Sequence, residues 1–331
     1  MGINQLLFDF GNTRERVHQA DLLRQAADWG VLAAQNDLAL RVKERFYAVL
    51  QNQRLLTSAQ SDLSNRQEQL RLARALYKAG NKSPGDVVRA QTAVSNSVFN
   101  LNTARRNLEL AQQDLAQSLG LPSLTPLNVT EQNEPDLPSR EVGPLLNKAM
   151  QLRPDLLAAQ RTVEGRKSGL NAAHTTNYPS VSTFAGVAYQ GATNGVQYPL
   201  VLMQLQVDFN VYDGGLRSGT IEQAEGVLDS ASADLLRTQL AVQREVTGVL
   251  AQLVSAERNV QAASLAVDAA SEGIRIAFGR YKAALGTVTD VFDAQNQLLS
   301  ANNNLANAQA DLNLSRPRLR HALASPFGEG Y

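Results

Sequence analysis

Cysteine is absent from the 331 residues, which excludes a disulfide, a thiolate metal site and a thiol nucleophile. Its absence fits a reducing cytosol or an envelope compartment. No run of 18 or more apolar residues occurs, so a transmembrane helix is not expected. Neither sign of charge is in excess, with 31 basic and 31 acidic residues, and a neutral chain offers no electrostatic footprint to nucleic acid. Aromatic residues make up only 5%, few for a globular enzyme core. Alanine, leucine, asparagine and glutamine fill their place, which suits close-packed helices with polar outer faces. The opening MGINQLLFDFG lacks the basic region, apolar run and small-residue cleavage site of a secretory signal.

Catalytic patterns are missing too. His18, His174 and His321 fall on separate elements without ligand spacing, so no metal site is expected. The string GNKSPG lacks the spacing and upstream strand of a phosphate loop. With no nucleophile elbow or dinucleotide fingerprint, neither an enzyme nor a cofactor is expected.

What the chain does contain is a long internal repeat. LYKAGNKSPGDVVRAQ, from Leu76 to Gln91, reappears as RYKAALGTVTDVFDAQ, from Arg280 to Gln295, at an offset of 204 residues. The same offset pairs Asp9 with Asp213, Gly11 with Gly215, Val42 with Val246 and Leu101 with Leu305, without a gap from about residue 7 to 120. A duplication that tolerates no length change implies elements fixed by geometry, such as long paired helices.

From Thr13 to Ala79 there is no proline and one glycine, Gly30. A single helix of about 67 residues, roughly 100 Å, is expected there, and its copy spans Arg217 to Ala283. Apolar residues recur at seven: Val42, Val49, Leu56, Leu63, Leu70 and Tyr77, then Val246, Leu253, Val260, Val267, Ile274 and Tyr281. That is a coiled-coil seam. The return helices repeat it with Val87 to Leu115 and Val291 to Leu319, each large residue followed three positions later by a small one such as Ala90, Ser97, Ala301 or Ala308. The quoted phrase is therefore a hairpin tip. Gly80, Pro84 and Gly85 break the first helix with Asp86 as candidate N-cap; Gly286, Thr287 and Thr289 break the second with Asp290 in that place.

Residues 121–144 hold five of the eleven prolines and read as an irregular linker, after which a helix is expected from Pro154 to about Thr176. Val201, Met203, Leu205, Val207, Phe209 and Val211 alternate with mostly polar neighbours, the pattern of a lipid-facing barrel strand with a wet lumen. Tyr178 to Gln190 forms its partner across a turn at Gly191 to Gln197, with Tyr178, Tyr189, Tyr198 and Tyr212 as interfacial borders. A sheet with one face on a soluble core fits the same alternation. Asp9 and Gly11, then Asp213, Gly214 and Gly215, mark strand-to-helix junctions where glycine turns the backbone and aspartate caps the helix.

Hairpin strands feeding paired long helices, duplicated in one chain, together with Tyr281 to Gln295, RPDL at Arg153 to Leu156, NYPS at Asn177 to Ser180 and Tyr212 to Arg217, resemble the TolC-like outer-membrane efflux channel family. The resemblance implies a mainly α fold with a small β part. Long antiparallel coiled-coil hairpins would form a trimeric α-barrel, and β-hairpin strands would contribute to a transmembrane β-barrel. Function would be that of a passive outer-membrane duct of a tripartite efflux or type I secretion system, docking to a periplasmic adaptor and an inner-membrane transporter. By position Asp290 and Asp293 resemble the family's mouth-lining carboxylates, and Asp86 with Tyr281 a hydrogen-bonded gate link. Gly80, Asn81, Lys82 and Ser83 with Leu285, Gly286, Thr287 and Val288 would be the adaptor contacts. Where a close relative carries a clamping arginine, this chain has Gly286.

The expected organisation is a first repeat over 1–120, a linker over 121–153, a second repeat over 154–324 with its hairpin at 178–212, and a tail over 325–331. The offset projects the helix from Pro154 and the strand from Tyr178 to positions before Met1, so the reading is of a chain lacking a signal, a first helix and a first strand, with about three strands per copy. A soluble coiled-coil scaffold, or a truncated channel fragment, is the alternative.

Overall fold

The computed structural model describes residues 2–122, 125, 127, 129, 130, 140–191 and 197–324. The chain runs β1 (Gly2–Phe8), α1 (Asn12–Lys78), α2 (Pro84–Ser118), α3 (Val142–Leu152), α4 (Pro154–Thr175), β2 (Ser180–Gly191), β3 (Gln197–Asp208), α5 (Leu216–Lys282) and α6 (Val288–Ala322). The long helices α1 and α5 are each 67 residues, and the return helices α2 and α6 each 35.

One expectation needs correction. Part of the segment 121–153 is helical, because Pro144 sits in the first turn of α3, where its missing N–H breaks no helical bond. Beyond it Leu145 and Ala149, one turn apart, are buried. Pro126, Pro135 and Pro138, the turn at 192–196 and the tail 325–331 lie outside the described residues.

The chain forms two compact units, and each draws on both repeats: Met1–Ala34 with Met150–Gln243, and Gln35–Ala149 with Arg244–Tyr331. In the first, the three strands form an antiparallel sheet in the order β1-β2-β3. Ile3 pairs with Ala185, and Val181 with Val207. Val201, Met203, Leu205 and Val207 are all exposed. Strand β3 ends at Asp208, short of the expected Val211, because Asp208 pairs with Ser180, the first residue of β2, and the ladder has no further partner. Helix α4 packs on α1 with the Asn12 amide donating to Ala172 O at 2.8 Å and Thr175 Oγ1 at 2.7 Å. A Cβ at Gly165 would stand 3.2 Å from the Leu23 side chain, so glycine permits that approach.

In the second unit Tyr47, Val49 and Leu50 of α1 pack with Ala111 and Leu115 of α2 and Val129. Toward the tip Leu70 and Ala73 meet Ala90. Along α6 the small residues Ala301, Ala308, Ser315 and Ala322 are buried, as expected where large residues of a neighbour fill the space above them. The seam of sevens is not uniform. Between Ala59 and Ala73 the buried positions of α1 are Asp62, Arg66, Gln69 and Leu70, while Leu56 and Leu63 are only partly covered. Tyr77 is 47% exposed, although its repeat mate Tyr281 is 1% exposed.

The duplication is preserved in backbone even where side chains differ. Gly80 and Ala284 both take left-handed conformations, φ 76° and 60°, as do Gly120 and Ala324 at 70° and 53°. In each tip a Schellman pair closes the helix: Asn81 N donates to Leu76 O at 2.9 Å, and Leu285 N to Arg280 O at 2.8 Å. Alanine is strained in this region by about 1–2 kcal/mol. Ala284→Gly is therefore expected to raise stability by about 0.5–1 kcal/mol, the relief less the entropy that glycine adds to the unfolded chain. Thermal unfolding followed by helical circular dichroism reads it.

Near the end of α6, His321 lies between two carboxylates. Nε2 is 2.8 Å from Asp37 Oδ1 on α1, and Nδ1 is 3.3 Å from Glu245 Oε1 on α5, an ion-pair contact without a well-formed hydrogen bond. Glu245 first and Asp37 second raise its pKa above the ordinary 6.5, against the opposing effect of burial. A raised folded pKa contributes stability fully present below about pH 6.5 and lost as pH rises through the folded value. Stability is expected to fall across that range in the parent and not in His321→Gln, measured by thermal unfolding at a series of pH values.

Candidate functional site

Two sets of residues stand out from the fold: the strand-to-helix junctions and the hairpin tips. At the first junction Phe10 and Gly11 have φ of 54° and 92°; at the second Gly214 and Gly215 have 64° and 92°. Two left-handed residues turn the chain sharply, and the preceding aspartate takes up the exposed N–H groups of the new helix. Asp9 accepts from Thr13 N at 2.8 Å and Gly11 N at 3.2 Å. Asp213 accepts from Arg217 N at 3.1 Å, Arg217 Nε at 2.8 Å and Gly215 N at 3.2 Å. Both carboxyls are held below the usual range: the Thr13 hydroxyl leads for Asp9, and the bonds from Arg217 outweigh burial for Asp213. These aspartates cap the start of the helices that follow them. The Phe10 ring stacks on Tyr178 at 5.2 Å and meets Phe8 edge-on at 4.8 Å, which holds a non-glycine residue in the left-handed region.

At the tips, neither Asp86 nor Asp290 is the N-cap. Ser83 and Thr287 hold that position, and both aspartates sit three residues later. In the second tip this makes a capping box: Asp290 N donates to Thr287 Oγ1 at 3.1 Å and Thr287 N donates to Asp290 Oδ2 at 3.0 Å. The first tip has no such side-chain bond from Ser83. The backbone N–H of Thr287 first, then its hydroxyl, lower the Asp290 pKa. Asp293 follows one turn on, and both carboxylates are exposed.

The expected hydrogen bond between Asp86 and Tyr281 is not made. Tyr281 is buried against Val288 and Val291 with Leu72, Leu76 and Phe278, and its hydroxyl has no partner among the described residues. Burial, then the negative Asp86, raise its pKa. Lys82 joins the tips instead: its ammonium donates to Gly286 O at 2.8 Å and lies 5.0 Å from the Tyr281 ring centroid. Of the expected contact residues, Gly80, Asn81, Ser83 and Thr287 are exposed, and Lys82 and Gly286 half-buried. Leu285 is 75% exposed, whereas Val288 is 3% exposed and offers no side chain to a partner.

Sequence reasoning missed a buried polar network above the tips. Asp62 accepts from Arg66 Nε and Ser97 Oγ, both at 2.8 Å, and from Gln295 Nε2 at 3.0 Å. Asp62 and Gln69, seven apart and each beside a seam leucine, were the available signal. For the cap, Thr287→Ala is expected to weaken the start of α6 by about 1 kcal/mol, seen as faster amide exchange at Val288 to Val291. Acid acts the same way: a lowered carboxyl pKa stabilises above the unfolded value and loses that contribution as pH falls through the folded one.

Comparison with known proteins places this architecture. The family model "Outer membrane efflux protein" matches residues 1–121 and 145–325. The outer membrane efflux protein BepC of Brucella suis is 24% identical over 94% of this chain and 68% of its own length. The outer membrane protein TolC of Vibrio cholerae is 24% identical over 92% of this chain and 72% of its own. The outer-membrane channel OprN superposes with a TM-score of 0.87 at 18% identity, over 98% of this chain and 74% of its own, so the strands and paired helices share that channel's fold. No described helix is long and apolar enough to cross a membrane. The soluble-scaffold alternative falls away: the chain belongs to the outer membrane efflux protein family and is a channel subunit of the outer membrane.

Proposed function

We propose that three copies of this chain close their sheets into one barrel and bring their hairpin tips together as the periplasmic mouth of an export duct. The observation that carries this is the open sheet. β1 and β3 are both edges, their apolar residues are exposed, and unpaired edge N–H and C=O groups are not tolerated in lipid. Strands from further copies satisfy them.

The duct is passive, and energy comes from an inner-membrane transporter reached through a periplasmic adaptor. The adaptor meets the exposed tip residues, with Leu285 as the apolar anchor and Asn81, Ser83 and Thr287 as polar rim. In the trimer Asp290 and Asp293 form two stacked rings of three carboxylates facing the lumen, which favour cations. The two repeats divide the work: residues 1–120 supply one tip and 154–324 the other, with 121–153 as the segment that links them.

The double variant Asp290→Ala plus Asp293→Ala is expected to reduce the cation-over-anion permeability ratio several-fold in planar bilayers. An unchanged ratio removes these carboxylates from the mouth.

A further inference from the structure

We infer that Asp62 is a positioning residue that locks α6 in register on the first hairpin and sets how far the second tip can part from it. This rests on reading the tips as a movable mouth. Among the described residues, five hydrogen bonds join the second tip and lower α6 to the first hairpin. Two lie at the tip and touch water: Lys82 Nζ to Gly286 O at 2.8 Å, and Arg89 Nη1 to Thr289 Oγ1 at 3.3 Å. Three lie further up: Gln295 Nε2 to Asp62 Oδ1 at 3.0 Å, Gln69 Nε2 to Gln295 Oε1 at 3.3 Å, and Arg66 Nη2 to Asn296 Oδ1 at 2.8 Å.

The two groups differ in how much it costs to break them. Water replaces an exposed tie at little cost. Asn296 is exposed, so its tie to Arg66 is open to water on one side. Asp62, Arg66, Gln69 and Gln295, however, are 3%, 8%, 4% and 2% exposed, so pulling α6 away strands buried polar groups and a carboxylate whose other oxygen already accepts from Arg66 and Ser97. Water enters from the tip upward and stops where the buried ties begin. Asp62 also makes the lock selective for register, because a slip of α6 by one position removes Gln295 from its reach.

The repeat shows that this is a built feature of one hairpin. The positions equivalent to Asp62, Arg66 and Ser97 are Ala266, Ala270 and Ala301. Gln91, the counterpart of Gln295, is exposed and accepts from Arg74 at 2.7 Å. Among the described residues the clasp of Asp62, Arg66 and Ser97 belongs to the first hairpin, and what it clasps is α6, which carries Asp290 and Asp293.

Hydrogen exchange on the full chain purified from its outer membrane tests the lock through Lys82→Ala, Gln295→Leu and Asn296→Ala. Lys82→Ala is expected to speed exchange at Val291 and Phe292 and leave Leu298 to Leu305 at the parental rate. Gln295→Leu keeps Asp62 paired with Arg66 and Ser97 and is expected to speed Leu298 to Leu305 about tenfold or more, with α1 and α2 unchanged. Asn296→Ala, the milder change should Gln295→Leu fail to fold, is expected to give about a threefold effect in the same window. Parental exchange at Leu298 to Leu305 in both upper variants overturns the lock, as does a Lys82→Ala effect that extends to Leu305. Single-channel conductance of the same proteins is a separate readout: raised conductance in Gln295→Leu supports both readings, whereas the expected exchange with unchanged conductance upholds the lock and removes the mouth.

Discussion

A return helix packed on the helix it folds back along cannot change length independently of it, and most of this structure depends on that constraint. Every inserted residue would rotate the seam by about 100° and carry its apolar face out of contact. Helices α1 and α5 are both 67 residues and α2 and α6 both 35, so the duplicated halves have kept their dimensions while most side chains changed. Small residues on the return helices, Ala90 and Ser97 or Ala301 and Ala308, let the backbones approach. Ser97 and Ala301, and Ala111 and Ser315, are buried in both copies, where a larger side chain would push the pair apart.

Turns obey the same discipline through backbone rather than through composition. The left-handed residues fall at matching places in both copies, although glycine in one is alanine or phenylalanine in the other. Where a helix must end and a chain must reverse at a fixed height, the conformation is retained and the strain tolerated, since the helices on either side over-determine it. Aspartate serves two positions in this scheme. Before a helix, as at Asp9 and Asp213, it caps; three residues inside, as at Asp290, it completes a reciprocal box.

Helix lengths, tips, junctions and the alternating strand were legible in the sequence because each arises from local pattern and from the offset. What was not legible depended on neighbours. The α3 helix hid behind Pro144, which reads as a breaker until its first-turn position is known. The buried face around Asp62 and Gln69 was masked by adjacent leucines, since seam assignment by apolarity passes over polar residues that satisfy one another. Tyr77 and Tyr281 occupy identical places in the repeat yet differ in burial, because Tyr281 lies in a cluster that takes in Leu72 and Leu76 of α1 as well as Val288 and Val291 of α6. The missing bond between Asp86 and Tyr281 belongs to the same class: both residues were identified from the resemblance, and only the packed structure shows that the hydroxyl faces no acceptor.

The pairing of β1 with β2 has a consequence for the order of events in synthesis. Ile3 lies opposite Ala185, so β1 finds this partner only after about 180 further residues have been added. For that interval the edge that β2 will cover is bare and open to every other chain in the same condition. The long helices between need no such wait, since each hairpin closes on residues made shortly before. Helical assembly therefore runs ahead of the sheet, and the membrane-facing part is the last to lose its capacity for wrong pairings.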